Sequence, residues 1–459
     1  MIALEKVRKA YFIGIGGIGM SAIARYLNSQ GVEVHGYDLT ATDLTTQLSK
    51  EGMRIHFEED VTQIPDGIDL VVYTPAVPAT HQEMVYLKEQ DHQLYKRAAI
   101  LGMISRSRQT IAVAGTHGKT TTTSIMTQLL KGSTVDPSAF LGGINVNLGS
   151  NYYQGESDWV IAEADEYDRS FHQLFPKIAV VLAADPDHLD IYGDEANMLK
   201  AYVKFLSQVQ QDGTILLNHK VAKKQAFQSL NFQGQVLTYG GVESDYRTIN
   251  LRVGTGSYHF DLQTPKGVIE GWSLPMPGQH NVQNAIAAIA VGLELGVQSA
   301  YLQQQLKAFK GIQRRFEIHW QAGKKALIDD YAHHPEELEA AIEAARAFWP
   351  DSHLTGIFQP HLFTRTRDFV DGFAAALDKL DRCLLIDIYP ARELPIEGIN
   401  SGIILQKMQL KDKAWIKKEA IVDTLQDQAV EVLITLGAGT LDREIPNLKP
   451  LIQPEKSES

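Results

Sequence analysis

The sequence contains a single cysteine and no long hydrophobic run. Its 459 residues include only Cys383, so no intramolecular disulfide can form, and the apolar run around Cys383 predicts a buried strand. No stretch approaches the roughly 20 apolar residues that a membrane-spanning helix needs. The first residues also lack the apolar segment and cleavage site of a signal peptide. We therefore expect a cytoplasmic protein without a membrane partner.

Basic residues are also scarce relative to acidic ones. The 43 lysines and arginines face 55 aspartates and glutamates, which gives a formal net charge of −12. Nucleic-acid phosphates require a basic surface, so this balance argues against a nucleic-acid partner. It leaves room for phosphorylated small molecules, which need only a local cationic site. Nothing in the sequence indicates an oligomeric state.

Strands and helices alternate along most of the chain, which predicts an α/β fold with parallel sheets. About 150 residues per domain gives roughly three domains for this length. We place them at residues 1–107, 108–311 and 312–459. The segment 210–272 differs, because its short apolar runs are separated by Gly, Asn and Asp, and we expect an antiparallel appendage or edge there.

A glycine loop follows the first predicted strand. Gly14-x-Gly16-x-x-Gly19 opens a helix, and Asp38 follows the next strand about 20 residues later, which matches a dinucleotide-binding pattern. Glycines let backbone N–H groups approach a pyrophosphate at the start of a helix. The ligand is NAD by default, but a UDP-sugar satisfies the same geometry. A tight turn without a ligand is the remaining interpretation.

A second glycine loop lies between another predicted strand and helix. It reads Gly115-Thr116-His117-Gly118-Lys119-Thr120. Backbone N–H groups of such a loop surround phosphate oxygens, its lysine neutralises charge near the β- and γ-phosphates, and its Thr hydroxyl coordinates Mg²⁺. Val113 replaces the first glycine of the usual pattern, so the loop is a variant, and we expect it to bind ATP. A dehydrogenase needs only the first loop and a simple ATPase only the second.

Acidic residues and a histidine follow two further predicted strands. Ligands bind at the carboxyl ends of parallel strands, where the run Glu163-Ala164-Asp165-Glu166 and the loop around His188 are expected to lie. Mg²⁺ prefers oxygen ligands, which makes Glu163 the first choice as a metal ligand. His188 is either a second metal ligand or a structural histidine.

Cations and histidines collect after the strands of the C-terminal third. The runs are Arg314-Arg315, Asp329-Asp330-Tyr331-Ala332-His333-His334-Pro335 and Gln359-Pro360-His361-Leu362-Phe363-Thr364-Arg365-Thr366-Arg367. Such a group is typical of anion and carboxylate recognition. The alternative is a solvated face in which the arginines pair with Asp368 and Asp371.

Taken together, these motifs resemble the Mur ligases, in the same order and over nearly the whole chain. The resemblance also includes Gly-Gln-His-Asn-Val-x-Asn-Ala at 278–285, Arg-Arg-Phe-Glu at 314–317 and Tyr-Pro-Ala-Arg-Glu at 389–393. It implies a three-domain architecture: a Rossmann-like UDP-sugar-binding domain, a central P-loop ATPase domain and a Rossmann-like C-terminal domain that admits the amino acid.

The resemblance also implies a reaction of peptidoglycan precursor synthesis. The carboxylate of UDP-N-acetylmuramate takes the γ-phosphoryl group of ATP, and L-alanine then attacks the acyl phosphate. ADP and phosphate are the other products, and Mg²⁺ is the expected cofactor. The substrates are small molecules throughout.

By position, the resemblance assigns a role to each of a set of residues. The implied catalytic residues are Lys119, His188, Arg315 and His333. The implied ATP contacts are Gly115, Thr116, His117, Gly118, Lys119, Thr120, Thr121, His280, Asn284, Arg315 and Asp330. The implied UDP-sugar contacts are Gly16, Gly17, Ile18, Gly19, Asp38, Thr74 and Ala76. The implied amino-acid contacts are Tyr331, His333 and Arg365, and the implied metal ligands are Thr120, Glu163 and His188.

Three positions depart from the pattern of the family. Leu362 replaces a frequent arginine near the amino acid, Tyr37 replaces a frequent serine before Asp38, and Tyr167 replaces a common serine after Glu166. The nearest alternative is the murein tripeptide ligase, which shares both nucleotide sites. An NAD-dependent oxidoreductase and a non-enzymatic nucleotide-binding regulator are the alternatives from other classes.

Overall fold

The computed structural model describes residues 3–391, 393–426 and 428–453. Arg392, which belongs to one of the motifs above, lies outside the described residues. The chain divides into two compact units. The first runs to Ile249 and includes Asp261–Glu270 and Gln283–Leu306, whereas the second comprises Asn250–Phe260, Gly271–Val282 and the described residues from Lys307 onward.

The N-terminal sheet has five parallel strands in the order β3-β2-β1-β4-β5. They are β1 (Lys9–Ile13), β2 (Glu33–Tyr37), β3 (Arg54–His56), β4 (Leu70–Tyr73) and β5 (Leu94–Lys96). The helices are α1 (Ile18–Ser29), α2 (Asp43–Lys50), α3 (Gln82–Glu89) and α4 (Arg97–Ser107). Residues 10–13 are fully buried, as expected for a central parallel strand. The strand order reverses at β1, where ligands bind in open α/β sheets.

The central sheet has seven strands in the order β12-β11-β10-β6-β9-β7-β8. They are β6 (Gln109–Ala114), β7 (Ser138–Asn145), β8 (Ser150–Tyr153), β9 (Trp159–Ala164), β10 (Ile178–Val181), β11 (Thr214–Asn218) and β12 (Gln235–Tyr239). The helices are α5 (Lys119–Leu130), α6 (Leu189–Tyr192), α7 (Glu195–Leu206), α8 (His219–Ala222) and α9 (Gln225–Gln228). The β7–β8 pair is antiparallel. The others are parallel, so both β6 and β9 end at the edge that carries the second glycine loop.

The prediction for residues 210–272 is wrong in the pairing of its first two strands. Both β11 and β12 continue the central sheet in parallel, with β12 at its edge. The rest of the segment forms a three-stranded sheet of β13 (Arg247–Gly254), β14 (Ser257–Thr264) and β15 (Gly267–Leu274). Two-residue turns join these neighbours, which is the connection of antiparallel strands. Helices α10 (Gln279–Glu294) and α11 (Ser299–Lys307) follow.

The C-terminal sheet has six strands in the order β16-β17-β21-β18-β19-β20. They are β16 (Glu317–Ala322), β17 (Lys325–Asp330), β18 (Leu354–Phe358), β19 (Arg382–Leu385), β20 (Lys413–Trp415) and β21 (Val432–Leu436). The helices are α12 (Pro335–Phe348), α13 (Phe363–Asp368), α14 (Val370–Leu377), α15 (Ser401–Lys407), α16 (Ile421–Gln426) and α17 (Ile445–Ile452). Cys383 in β19 is fully buried, as predicted, and burial raises the pKa of its thiol.

None of the helices in the described part of the chain has the length and apolar character needed to cross a bilayer.

A buried polar cluster joins α1 to the central sheet. Arg25 Nε and Nη2 each donate to the Glu51 carboxylate at 2.8 Å, and its Nη1 donates to the Asn151 side-chain oxygen. The Asn151 amide donates to the Ile18 carbonyl and, at 2.8 Å, to the Ser21 hydroxyl. Asn151 is fully buried, so each of these groups depends on its neighbour rather than on water. The cluster therefore holds the first turn of α1 against β8.

Replacing Asn151 by alanine is expected to lower the free energy of unfolding by about 2–3 kcal/mol. The change leaves a buried guanidinium N–H of Arg25 without its acceptor and removes a buried amide from the packed cluster, and an unsatisfied buried group of this kind costs about 1–3 kcal/mol. Urea unfolding, monitored by circular dichroism, measures this loss of unfolding free energy in the earliest unfolding transition. Asn28→Ala is the matched control, because its exposed bond to the Glu51 carbonyl is weak, and equal losses for both variants would contradict the role of Asn151.

Candidate active site

The first glycine loop lies at the carboxyl end of β1. Gly14 has a φ of +86°, and a β-carbon there would lie 2.5 Å from Thr74 Cγ2, so only glycine fits. Gly16 N donates to Asp38 Oδ2 at 2.7 Å. Gly17 is the residue before α1, which points the free N–H groups of that helix into the loop. The arrangement suits a bound phosphate group.

The structure brings most of the predicted UDP-sugar contacts to this loop. Asp38 hydrogen-bonds the loop backbone, Thr74 packs on Gly14, and Ala76 N donates to Thr74 Oγ1 at 3.5 Å. Gly17, Ile18 and Gly19 form the junction with α1. Tyr37, one of the departures from the family pattern, is buried, with its ring centre 4.5 Å from that of His81.

The second glycine loop runs from β6 into α5. Gly115 and Gly118 have φ angles of +144° and +82°. A β-carbon on Gly118 would lie 2.6 Å from Asn284 Oδ1, so the predicted ATP contact Asn284 lies against the loop. Thr116 is buried and His117 is exposed, while Thr121 lies in the first turn of α5. His280 lies in the first turn of α10 and is exposed.

Lys119 is surrounded by acceptors. Its Nζ donates to the Gly115 carbonyl at 2.7 Å and to the two carboxylate oxygens of Glu166 at 2.9 and 2.7 Å. Glu166 is 1% exposed, which makes this a buried ion pair. Glu166 belongs to the acidic run Glu163-Ala164-Asp165-Glu166, but no motif in the sequence assigns it a role. Its place as the fourth residue of that acidic run, at the end of a strand, is the sequence feature that could have predicted its contact with Lys119.

Glu163 contacts the start of α5. Its carboxylate accepts from Thr120 Oγ1 at 3.3 Å, from Thr123 Oγ1 at 3.3 Å and from Gly142 N at 2.7 Å. Hydroxyl and carboxylate oxygens are the ligands that Mg²⁺ prefers. The predicted pair Thr120 and Glu163 is therefore brought together with a donor set that fits this ion.

His188 lies beside a different carboxylate. Its Nε2 is 3.9 Å from Glu166 Oε1 and 3.7 Å from Asp187 Oδ2. The ligand atoms of these three residues all lie within 4.8 Å of one another. His188 has a φ of +49°, which is uncommon for a residue with a side chain, and the ring of Tyr167 meets it edge-on at 5.2 Å.

A small cleft lies between the first glycine loop and the carboxyl end of β9. Gly19 and Ile23 of α1, Arg97 of α4 and Glu163 of β9 line it. Arg97 packs against Gly19, where a side chain would clash with the guanidinium, and its Nη2 is 3.8 Å from Asp165 Oδ2. No sequence motif predicts a role for Arg97, because nothing in the local sequence relates it to a loop almost 80 residues earlier.

The two arginines of the Arg-Arg-Phe-Glu motif have different surroundings. Arg314 Nη1 and Nη2 donate to the carbonyls of Gly439 and Gly437 at 3.0 and 2.6 Å, and its Nε is 3.4 Å from Asp329. Arg315 is exposed, with its backbone N–H donating to the Ile312 carbonyl. The internal contacts of Arg314 are structural, which leaves Arg315 as the member of the pair that can reach a ligand.

Asp330 ends β17 and orders the residues around it. Its two oxygens accept from Phe316 N and Ala332 N, both at 2.7 Å. Burial of the carboxyl group raises its pKa to about 7, although these hydrogen bonds favour the ionised form. Asp330 therefore carries a proton more readily than an ordinary aspartate.

Aromatic rings cluster at the carboxyl ends of β17 and β18. The ring of His333 lies 5.3 Å from that of Tyr331 and 6.2 Å from that of His361, which in turn stacks on Tyr389 at 5.7 Å. Arg365 lies on α13, four residues after His361. Arg367, by contrast, forms an exposed ion pair with Asp368. For Arg367 the structure therefore agrees with the alternative interpretation, in which the arginines belong to a solvated face. The structure thus groups Tyr331 and His333 and adds His361 to them.

Comparison with known proteins gives close relatives over the full length. The chain is 42% identical to the UDP-N-acetylmuramate–L-alanine ligase of Christiangramia forsetii over 452 residues, which cover 97% of this chain and 98% of the relative. It is 43% identical to the corresponding ligase of Porphyromonas gingivalis, covering 97% and 99%. The chain belongs to the Mur ligase family. Family models match as the Mur ligase family, catalytic domain (residues 9–109), the Mur ligase middle domain (113–292) and the Mur ligase, glutamate ligase domain (314–440).

Solved structures agree with this membership. The fold matches a UDP-N-acetylmuramate–alanine ligase from Thermotoga maritima with a TM-score of 0.80 and 27% identity, covering 96% of this chain and 98% of that one. A murein peptide ligase from Psychrobacter arcticus matches with a TM-score of 0.65 and 21% identity, covering 97% and 98%. The predicted α/β Mur ligase architecture of three domains is therefore confirmed.

Proposed function

We propose that this Mur ligase joins L-alanine to the carboxylate of UDP-N-acetylmuramate, with ATP converted to ADP and phosphate. The observation that carries the proposal is the cleft lined by Gly19, Arg97 and Glu163. Gly19 belongs to the first glycine loop, and the Glu163 carboxylate accepts a hydrogen bond from Thr120 of the second. A nucleotide-linked acid held at the first loop can extend its carboxylate along this cleft to the γ-phosphate. The names of the full-length relatives support the same reaction.

The phosphoryl transfer requires alignment and charge neutralisation rather than a covalent enzyme intermediate. We assign the phosphates of ATP to the backbone of Gly115–Thr121 and to the side chain of Lys119. Arg315 is a further cation for the phosphates. The residues assigned to the nucleoside are His280, Asn284 and Asp330. We assign the pyrophosphate of the UDP-sugar to Gly16–Gly19, whose helix N-terminus favours anions, and its sugar contacts to Asp38, Thr74 and Ala76. Arg97 adds positive charge beside that loop.

Thr120 and Glu163 offer hard oxygen ligands for Mg²⁺, and His188 contributes to a second cation. Bound Mg²⁺ supplies positive charge beside the transferred phosphoryl group. Tyr331 and Arg365 bind and orient the third substrate, the amino acid. The guanidinium of Arg365 donates hydrogen bonds to its α-carboxylate. His333 accepts the proton that the alanine ammonium must lose before it can attack. We also propose domain limits of 1–107, 108–311 and 312–459.

Phosphate release is expected only when ATP, UDP-N-acetylmuramate, L-alanine and Mg²⁺ are present together. Each component supplies a reacting group or a charge that the transfer requires, so omission of any one stops the reaction. A coupled assay for ADP and phosphate, with each amino acid offered in turn, measures this dependence. Equal phosphate release without the UDP-sugar would refute the proposal, and a preference for a peptide over alanine would favour the murein tripeptide ligase.

The oxidoreductase alternative accounts for the first glycine loop alone. It gives no role to Lys119 or to the pair of Thr120 and Glu163. A regulator without catalytic activity would bind nucleotides yet release no ADP with any amino acid, which the same assay detects.

A further inference from the structure

Helix α13 carries Arg365 but lacks a capping side chain of its own. It has six residues, Phe363–Asp368, and a helix this short has little stability in isolation. The residue before it is Leu362, whose side chain cannot accept a hydrogen bond from the first turn, as a serine, threonine or aspartate would at this position. The start of α13 must therefore be held by other parts of the chain.

Leu362 also has a strained backbone. Its φ and ψ angles are +70° and +137°, a combination that residues with side chains rarely adopt and that persists only where surrounding contacts impose it. Leu362 N donates to the Tyr389 carbonyl at 3.0 Å, and Tyr389 N donates to the Pro360 carbonyl at 2.8 Å. Thr366 N and Oγ1 donate to the Leu362 carbonyl at 3.1 and 2.8 Å. The loop that follows β19 thus holds one side of the turn that leads into α13.

Glu393, in the same loop, supplies the missing cap. Its Oε2 accepts from Thr364 N at 3.0 Å, and its Oε1 accepts from Thr364 Oγ1. Thr364 is the second residue of α13, and its N–H is one that an N-cap side chain ordinarily satisfies. The hydrogen bond from the Thr364 hydroxyl, together with that from its N–H, lowers the pKa of the Glu393 carboxyl group. The cap is therefore charged, which suits the positive end of a helix.

We propose that Glu393 is a positioning residue for the amino-acid substrate. Thr364 directly precedes Arg365, so the carboxylate that holds Thr364 also fixes the direction in which the Arg365 side chain leaves the helix. The guanidinium is thereby aimed at the α-carboxylate of the amino acid, and Glu393 acts only through Thr364 and Arg365. This inference rests on the proposed role of Arg365 in the ligase reaction.

Replacing Glu393 by alanine removes both acceptors of the cap. The KM for L-alanine is expected to rise about tenfold, because two-pronged binding of a carboxylate depends on a guanidinium held in one orientation. The KM values for ATP and UDP-N-acetylmuramate should stay within about twofold of wild type, since neither substrate is assigned to α13. Steady-state phosphate release with each substrate varied in turn measures all three.

Two further variants bracket this result. Glu393→Gln keeps an oxygen of the same reach for Thr364 N, so its KM for L-alanine should lie within about threefold of wild type. Glu397→Ala is the matched control, because Glu397 is exposed in the same loop and its change should leave all three KM values unaltered. A Glu393→Ala variant that keeps the wild-type KM for L-alanine, or that raises the KM for ATP equally, would overturn the proposal.

A double-variant cycle with Arg365→Lys separates positioning from general support of the pocket. If Glu393 acts through Arg365, adding Glu393→Ala to Arg365→Lys should raise the KM for L-alanine by less than about twofold more, because the fork that it orients is already lost. Two independent contributions would multiply instead. Multiplied effects would therefore show that Glu393 supports the site by another route and would refute the positioning role.

Hydrogen exchange tests the cap without any substrate. Mass spectrometry of a peptide that spans residues 360–369 should show at least about tenfold faster exchange in Glu393→Ala than in wild type or Glu397→Ala, because the Thr364 amide loses its acceptor. Unchanged exchange would overturn the proposal. If exchange accelerates but the wild-type protein releases no phosphate with L-alanine, the cap is real and it is the proposed function that fails, and the positioning role with it.

Discussion

Replacing Lys119 by alanine is expected to lower kcat/KM at least about 1,000-fold, which is roughly 4 kcal/mol of transition-state stabilisation. Negative charge grows on the bridging and equatorial oxygens during phosphoryl transfer, and an ammonium beside them offsets it in a site that excludes water. Steady-state measurement of phosphate release checks the value. Lys224→Ala is the control, because Lys224 forms a surface ion pair with Glu195 and its loss should leave the rate unchanged.

The ion pair with Glu166 adds a second expectation for the same variant. Lys119→Ala leaves the buried carboxylate without its cation, so the protein should also lose stability, and the loss is recovered when Glu166→Gln is added. The double variant should remain inactive, which distinguishes loss of chemistry from loss of folding. A Lys119→Ala rate within about threefold of wild type would mean that the second glycine loop does not bind the transferred phosphate.

Replacing Arg365 by lysine is expected to raise the KM for L-alanine at least about tenfold and to leave the KM for ATP nearly unchanged. A guanidinium grips a carboxylate with two parallel hydrogen bonds, whereas lysine keeps the charge and loses the fork. A hydrogen bond to a charged group contributes about 1.5–3 kcal/mol, which sets the size of the effect. Position 362 is a leucine, so no second guanidinium is available there to compensate.

Arg367→Lys is the matched control for this substitution. Arg367 lies one residue beyond Thr366 on the same helix, but its guanidinium is exposed and paired with Asp368 at 2.7 Å, so neither KM should change. The ratio of alanine to glycine use should also be unaffected by Arg365→Lys, since the walls of the pocket sense the methyl group, which contributes about 1–3 kcal/mol. A variant that weakens ATP binding and spares alanine would assign Arg365 to the phosphates.

Local sequence patterns predicted the elements that carry the loops. Strand β18 coincides with the apolar run Leu354–Phe358, and α5 starts at Lys119, directly after Gly118 of the second glycine loop. Pro335 occupies the first turn of α12, where its missing N–H costs nothing, and Glu337 accepts from the backbone of His333 and His334. In each case the signal lies within a few residues of the element it defines.

Pairing between distant strands left no comparable signal. The apolar runs of β11 and β12 are short, and short runs of this kind read alike whether their neighbours are parallel or antiparallel. The parallel pairing of β11 with β10 and of β12 with β11 depends on helices α7 to α9, which return the chain to the same end of the sheet. The antiparallel strands predicted for that segment begin only at Arg247.

In the candidate site, too, features formed by neighbouring residues were predictable from the sequence, whereas contacts between residues far apart in the sequence were not. The order of residues around Lys119 predicted a phosphate loop because glycine and lysine spacing is itself the chemical requirement. Glu166 pairs with Lys119 from 47 residues away, and Arg97 approaches Gly19 from another helix. Both relations arise from packing of α4 and β9 beside the loops, which no local spacing encodes.

The burial of Cys383 has a practical consequence for anyone who wishes to follow this enzyme in motion. Thiol reagents attack the thiolate, and a fully buried sulfur with a raised pKa offers neither access nor ionisation. The native chain is therefore chemically silent toward maleimide dyes. One cysteine introduced on each of two exposed loops becomes a unique attachment point, so a fluorophore pair can report distances during turnover without first removing a natural residue.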